Sequence, residues 1–234
     1  MEKRERIYEG KAKIVYNTDD PDLIIQYFKD DTTAFNAAKR GTVMNKGIIN
    51  NGISTKVFEF LNSEGIPTHY ERRLGDREML IKRAKIVPIE VIVRNKAAGS
   101  ICRILGLEEG MKLTPPVLEF CYKKDDLNDP LINEQHICAL NLASDEEVQT
   151  MKRYTLRINE LMSKFFANSN LELIDFKLEF GRYKGEIVLA DEISPDTCRL
   201  WEIGTGKKFD KDRFRHDMGD IEEAYQEVLS RVSK

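Results

Sequence analysis

Between residues 174 and 180 the chain alternates without interruption, with Ile174, Phe176, Leu178 and Phe180 on one side and Asp175, Lys177 and Glu179 on the other. Side chains on a strand point to opposite faces in turn, so this run reads as β-structure with one face in a core and one charged face. A helix would scatter both sets around its axis. After Gly181–Gly185 comes a second strand-like run, Ile187–Ile193, which contains Asp191 and Glu192. The two runs read as a hairpin. Folding it about Gly185 sets Glu179 opposite Asp191, and like charges facing each other across a ladder are destabilising. A divalent cation removes that conflict, and hard carboxylate oxygens suit Mg²⁺. The charged face therefore reads two ways, as a solvated hairpin surface or as a cation-binding face.

The rest of the chain supplies a core large enough to need that hairpin. Its 234 residues are 41% apolar and 33% charged, with 37 Lys+Arg against 40 Asp+Glu and a net charge of −3. That is the composition of a soluble globular protein. The near balance of charge argues against nucleic-acid binding, which needs basic residues in excess on one face. Basic groups that matter should converge on a small anion instead. The longest stretch without a formal charge, Gln135–Ser144, is ten residues, against the roughly 20 that a membrane helix needs. No membrane span is expected. The amino terminus, Met1–Arg6, is charged and runs into a strand, so it lacks the apolar core of a signal peptide and a cytoplasmic location is expected. Cys102, Cys121, Cys138 and Cys198 form no CxxC, which argues against zinc and against a disulfide framework.

Residues 1–85 read as short strands, at Ile7–Tyr8, Ala12–Tyr16, Leu23–Phe28 and Glu78–Arg83, interrupted by a helix over Lys46–Glu64 that Gly65 and Pro67 stop. Residues 86–234 begin with a strand at Ile89–Asn95, and the candidate boundary lies at Ile86–Pro88. The clearest helix is Ser144–Asn168, opened by a capping box between Ser144 and Glu147, with Val148, Met151, Thr155, Ile158, Leu161, Met162 and Phe165 at helical spacing. The same period through Phe214, Met218, Ile221, Tyr225, Val228 and Val232 predicts one last helix over Asp212–Val232.

Three further segments carry chemistry. Tyr8–Lys13 (YEGKAK) is a glycine turn followed by Lys11 and Lys13, which share a face on an extended strand and can meet a polyphosphate; a hairpin with two solvated lysines is the commoner meaning. Neither a Walker loop nor GxGxxG occurs. Val93–Ser100 ends in Gly99-Ser100 before a short helix, an anion site that Arg94 could complete with its planar fork, or an ordinary cap beside a surface arginine. Asp125–Pro130 is an acidic loop, solvated or turned toward a metal. His69, His136 and His216 have neither ligand spacing nor a nucleophile partner.

Taken in order, YEGKAK at 8–13, VIVRNKAAGS at 91–100, DPLINE at 129–134, DFKLEFG at 175–181, DEISPD at 191–196 and DKDRFR at 210–215 give a chain that closely resembles the SAICAR synthetase family of purine biosynthesis from end to end. The resemblance implies an α+β, two-lobed fold related to ATP-grasp enzymes and protein kinases, a β-rich N-terminal lobe over an α+β lobe with ATP in the cleft. It implies condensation of L-aspartate with carboxyaminoimidazole ribotide (CAIR) through an acyl phosphate, with ATP and Mg²⁺, in a homodimer. It implies Gly10, Lys11, Ala12, Lys13 and Lys123 around the nucleotide, and Glu179, Asp191 and Asp129 as metal ligands. It further implies Arg94, Ser100, Arg199 and Arg215 on the ribotide, with Lys13, Lys177 and Asp175 at the reacting groups. Asn36 sits where some relatives carry Asp, so a hydrogen bond to the substrate from this position is retained as an expectation while a charge is not.

Overall fold

The computed structural model describes residues 1–34 and 39–234. In chain order the elements are β1 (Lys3–Glu9), β2 (Lys13–Thr18), β3 (Leu23–Phe28), β4 (Asp31–Ala34), β5 (Lys39–Thr42), α1 (Lys46–Ser63), β6 (Tyr70–Arg73), β7 (Glu78–Lys82) and β8 (Lys85–Lys96). There follow α2 (Ser100–Leu105), β9 (Lys112–Tyr122), β10 (Leu131–Ile132), α3 (Glu134–Ala139), α4 (Asp145–Ala167), β11 (Leu171–Tyr183), β12 (Glu186–Ala190), β13 (Cys198–Glu202), α5 (Asp212–Arg215) and α6 (Ile221–Val232).

Two antiparallel sheets organise these elements. The first runs β1-β2-β3-β7-β6 and the second β10-β9-β8-β11-β12, with β13 also paired to β11; β4 and β5 form a small hairpin. Strand β11 holds the second sheet together. Along one edge it pairs with β8, and along the other it pairs first with β13, over Leu171–Phe176, and then with β12, over Glu179–Tyr183. Between those partners the edge opens at Lys177, whose N–H donates to the Thr197 carbonyl at 2.9 Å. The sheet therefore splits where the charged face of β11 lies.

Helix α4 packs on β11 and β8, and α1 packs on α6, β3 and β6. Ser144 and Glu147 form the expected capping box on α4. Val148, Met151, Ile158, Leu161, Met162 and Phe166 are buried along it, while Phe165 is only partly buried. Helix α1 is buried on nearly every side, including Lys46, Asn50, Asn51 and Ser54; packing between a sheet and two helices leaves it little solvent face.

The expected single helix over 212–232 is instead α5 and α6, separated by a turn in which Asp217, Gly219 and Asp220 have φ of 52°, 72° and 46°. The break is stabilised by Arg213, whose guanidinium donates to the carbonyls of Lys208, Met218 and Gly219 at 3.2, 3.3 and 2.8 Å. The bonds to Met218 and Gly219 satisfy carbonyls that a continuous helix would have used internally. The four cysteines are free thiols, and among the described residues no helix is long and apolar enough to cross a membrane.

Candidate active site

The charged face of β11 lines two adjoining cavities. The larger, about 620 Å³, is bounded on one side by Tyr8, Val15, Ile24, Ile81 and Ile86 and on the other by Lys123, Lys177, Glu179, Asp191 and Glu192. The smaller, about 390 Å³, is lined by Arg94, Ser100, Asp175, Arg199 and Arg215, with Lys11 and Thr33 also at its wall. Lys11, Glu90, Asp129, Lys177, Asp196, Thr197 and Lys211 line both. An apolar slot ending in cations is thus joined to a basic pocket.

Gly10 closes the turn before β2 through a 2.8 Å bond from its N–H to the Lys13 carbonyl. Lys11 lies in that turn rather than on the strand, so it does not share a strand face with Lys13. Its ammonium crosses to Asp125 at 2.9 Å, while Lys13 pairs with Asp191 and lies 3.7 Å from Glu192. Gly10, Lys11, Ala12 and Lys13 all line the larger cavity.

The hairpin register differs by one residue from the expectation. Glu179 faces Ala190, not Asp191. A slip of one position reverses a side chain's face, and Asp191 returns to the cavity because it sits past the strand end with φ 65°. The like-charge pair on the ladder is Glu179 with Glu90 of β8. Lys177 resolves it, donating to Glu179 at 2.7 Å and Glu90 at 3.0 Å and lying 3.5 Å from Asp191. Lys123 adds a 2.6 Å bond to Glu179. Burial pushes the Glu179 carboxyl up, but Lys177 and Lys123 overcome it and hold the group well below the usual carboxylate range. Burial likewise opposes the Lys177 charge, and Glu179 and Glu90 outweigh it and raise Lys177 above the usual lysine range.

The smaller cavity is built on forks rather than points. Arg94 is buried and donates to Glu119 (2.7 Å), Asp175 (3.0 Å), the Ala98 carbonyl (3.2 Å) and Ser100 Oγ (3.0 Å). Arg199 donates to Asp175 at 2.6 Å and Asp212 at 2.8 Å, and Arg215 donates to Asp212 at 2.6 Å. Burial raises the Asp212 carboxyl, but Arg199 and Arg215 draw it down to about 2. Gly99 makes room for this arrangement: at φ 66°, a Cβ there would stand 2.4 Å from the Arg199 guanidinium.

The structure brings together Lys13, Lys123, Lys177, Glu179 and Asp191 in one network, and Arg94, Ser100, Asp175, Arg199 and Arg215 in another. Asp129 lines both cavities, but its carboxylate accepts the Lys124 N–H at 2.8 Å within its own loop. Asn36 lies outside the described residues.

Sequence reading missed a buried seat beneath the junction. Asp196 accepts from Lys46 (2.6 Å) and Asn50 (3.1 Å) on one oxygen and from the Tyr225 hydroxyl (2.8 Å) on the other. Lys46 is 1% exposed. It reads in sequence as an ordinary helix start. Glu90 was also missed, although alternation through Glu90, Ile92 and Arg94 carries the signal that places it on the arginine's face.

The SAICAR synthetase family model matches residues 6–232. A phosphoribosylaminoimidazole-succinocarboxamide synthase from Thermoanaerobacter sp. (strain X514) is 58% identical over 232 residues, 99% of each chain. The solved synthase from Ehrlichia chaffeensis superposes with a TM-score of 0.96 at 44% identity, covering 98% of both chains. A SAICAR synthetase solved in complex with ADP gives 0.94 at 43%, covering 98% of this chain and 97% of that one. The fold is accordingly the ATP-grasp-like one of these enzymes.

Proposed function

This chain belongs to the SAICAR synthetase family, and we propose that it joins L-aspartate to the carboxylate of CAIR, with ATP converted to ADP and phosphate. The observation that carries this reading is the union of an apolar-sided slot and an arginine pocket at one junction, lined from both sides by Lys177.

A carboxylate does not accept an amine directly, because the leaving group would be oxide. Transfer of the γ-phosphoryl group to the CAIR carboxylate gives an acyl phosphate and releases ADP. The aspartate amine attacks its carbonyl carbon, the C–O bond to phosphate breaks, and phosphate leaves with one former carboxylate oxygen and the amine proton. In such transfers a protein mainly positions groups and neutralises spreading charge. Gly10 and Ala12 shape the turn against the nucleotide, Lys11, Lys13 and Lys123 neutralise its phosphates, and Lys177 stands between nucleotide and acceptor. Arg199 and Arg215, each with N–H groups beyond those given to carboxylates, hold the ribotide phosphate. Arg94 fixes Ser100 and Asp175 beside it.

The residues fit Mg²⁺. Glu179 and Asp191 already share one cation, the Lys177 ammonium, and Glu192 Oε2 is buried without a partner. Among the described residues no three acidic, His or Cys side chains converge as a complete ligand set. Glu179 and Asp191, with Asp129 from the loop, would hold the ion, the remaining oxygens coming from nucleotide and water. When bound, it supplies positive charge to the phosphate oxygens. A cytoplasmic location and a homodimeric assembly belong to this same reading, supported by the biosynthetic role and the family likeness.

The test is ADP release by the purified protein with ATP, Mg²⁺, L-aspartate and CAIR carrying ¹⁸O in its carboxylate. Release should require all substrates, and ¹⁸O should appear in inorganic phosphate. Release without transfer of the label would overturn the acyl phosphate; no release at all would overturn the activity.

A further inference from the structure

Among the described residues, every Lys and Arg lining the two cavities is paired except one. Lys11, Lys13, Lys123 and Lys177 pair with carboxylates, as do Arg94, Arg199 and Arg215, and Lys82 lies 3.4 Å from Glu71. Lys211 lines both cavities, yet among the described residues its ammonium makes neither an ion pair within 4.0 Å nor a side-chain hydrogen bond. Its backbone is fixed, the N–H donating to the Pro195 carbonyl at 3.0 Å. The largest attraction on the ammonium comes from Asp196, but both oxygens of that carboxylate are occupied from beneath by Lys46, Asn50 and Tyr225.

From this we infer that the Lys211 ammonium receives a carboxylate of the amine-donating substrate, L-aspartate, at the junction of the two cavities. This rests on the ligase reading above and names the subsite that reading leaves open. Position selects among the anions. Arg199 and Arg215 line only the smaller cavity, where the ribotide phosphate is assigned, and Lys13 and Lys123 line only the larger, where the nucleotide is assigned. Lys11, Lys177 and Lys211 face both, but Lys11 is paired with Asp125 and Lys177 with Glu90 and Glu179; the amine must enter at this junction to reach a carboxyl carbon bound between the cavities. Charge agrees with position. Burial pulls the Lys211 ammonium below the ordinary lysine range, and Asp196 and Glu192 do not fully compensate, with Arg215 and Lys46 adding repulsion. A desolvated cation without a partner gains most from an arriving anion.

The experiment measures initial rates of ADP release with ATP and CAIR saturating and L-aspartate varied, then with each of the other substrates varied. Lys211→Met keeps the stem and removes the charge. It should raise the aspartate KM roughly 10- to 100-fold, the loss expected of a charge-assisted hydrogen bond. The KM values for ATP and CAIR should stay within about twofold. Lys211→Gln, which keeps a polar end, should show the same selective rise, and Lys211→Arg should recover most of the affinity, as a purely structural role would not require. An unchanged aspartate KM, or a rise that falls on CAIR or ATP instead, overturns the assignment while leaving the ligase reading standing. A wild type that releases no ADP with aspartate overturns that reading, and this subsite with it.

Discussion

The two cavities handle charge in different ways. In the larger, every pair is made by a lysine and the carboxylates are shared: Glu179 by Lys123 and Lys177, Asp191 by Lys13 and Lys177. In the smaller, arginines dominate, and Arg94 alone reaches four groups while Arg199 spans two carboxylates. An ammonium is a compact charge on a flexible stem, whereas a guanidinium is a planar fork that fixes its partners. The larger cavity is built for charge that moves during a reaction. The smaller suits charge that stays where it binds.

The sharpest way to break that contrast is to remove the mobile charge. Lys13→Ala and Asp191→Asn should each lower kcat about 10²- to 10³-fold with circular dichroism unchanged, because both touch charge that grows during transfer. Turnover near the wild-type rate in either would end its assigned role. Next in size is Arg199→Ala, which should raise the CAIR KM roughly 10- to 100-fold and leave kcat within a few-fold, since the phosphate is remote from the reacting carboxylate. A fall in kcat without a change in KM would show that the smaller cavity also responds to the transition state.

The contrast also has a pH signature. Because Glu179 titrates below its ordinary 4.5 in the folded protein, its contribution to stability is present above that value and is lost as pH falls further. Glu179→Gln should therefore lower Tm at pH 7, and the gap to wild type should narrow as pH drops below 4.5; a constant gap would deny the pairing with Lys177 and Lys123. The smallest effect expected is from Tyr225→Phe, which removes one bond to Asp196 and should cost about 1 kcal/mol of stability with a few-fold loss of kcat. An unchanged unfolding midpoint in urea would show that Asp196 does not depend on it.

What sequence made legible was local. Alternation in Ile174–Phe180 exposed the face that lines both cavities, and Ser144 with Glu147 marked the start of α4. What escaped depends on backbone departures or on distant packing. The positive φ of Asp191 leaves no periodic trace, so alternation alone sets the register one residue off. Lys46 looked like a helix boundary because the carboxylate that justifies burying it lies 150 residues away. Alternation puts Lys177 on the charged face, and the family likeness puts it at the reacting groups, but neither shows that it also separates Glu179 from Glu90.

The interruption between α5 and α6 has a geometric consequence. In an unbroken rod, with a rise of about 1.5 Å per residue, Tyr225 would ride roughly 15 Å beyond Arg215. The bend folds the segment back on itself, so that Arg215 looks into the small cavity while Tyr225 reaches the underside of Asp196, which lines the same cavity. One stretch of chain thereby grips the junction from above and below, like the two jaws of a clip, and lengthening or straightening the connector would let go of one jaw.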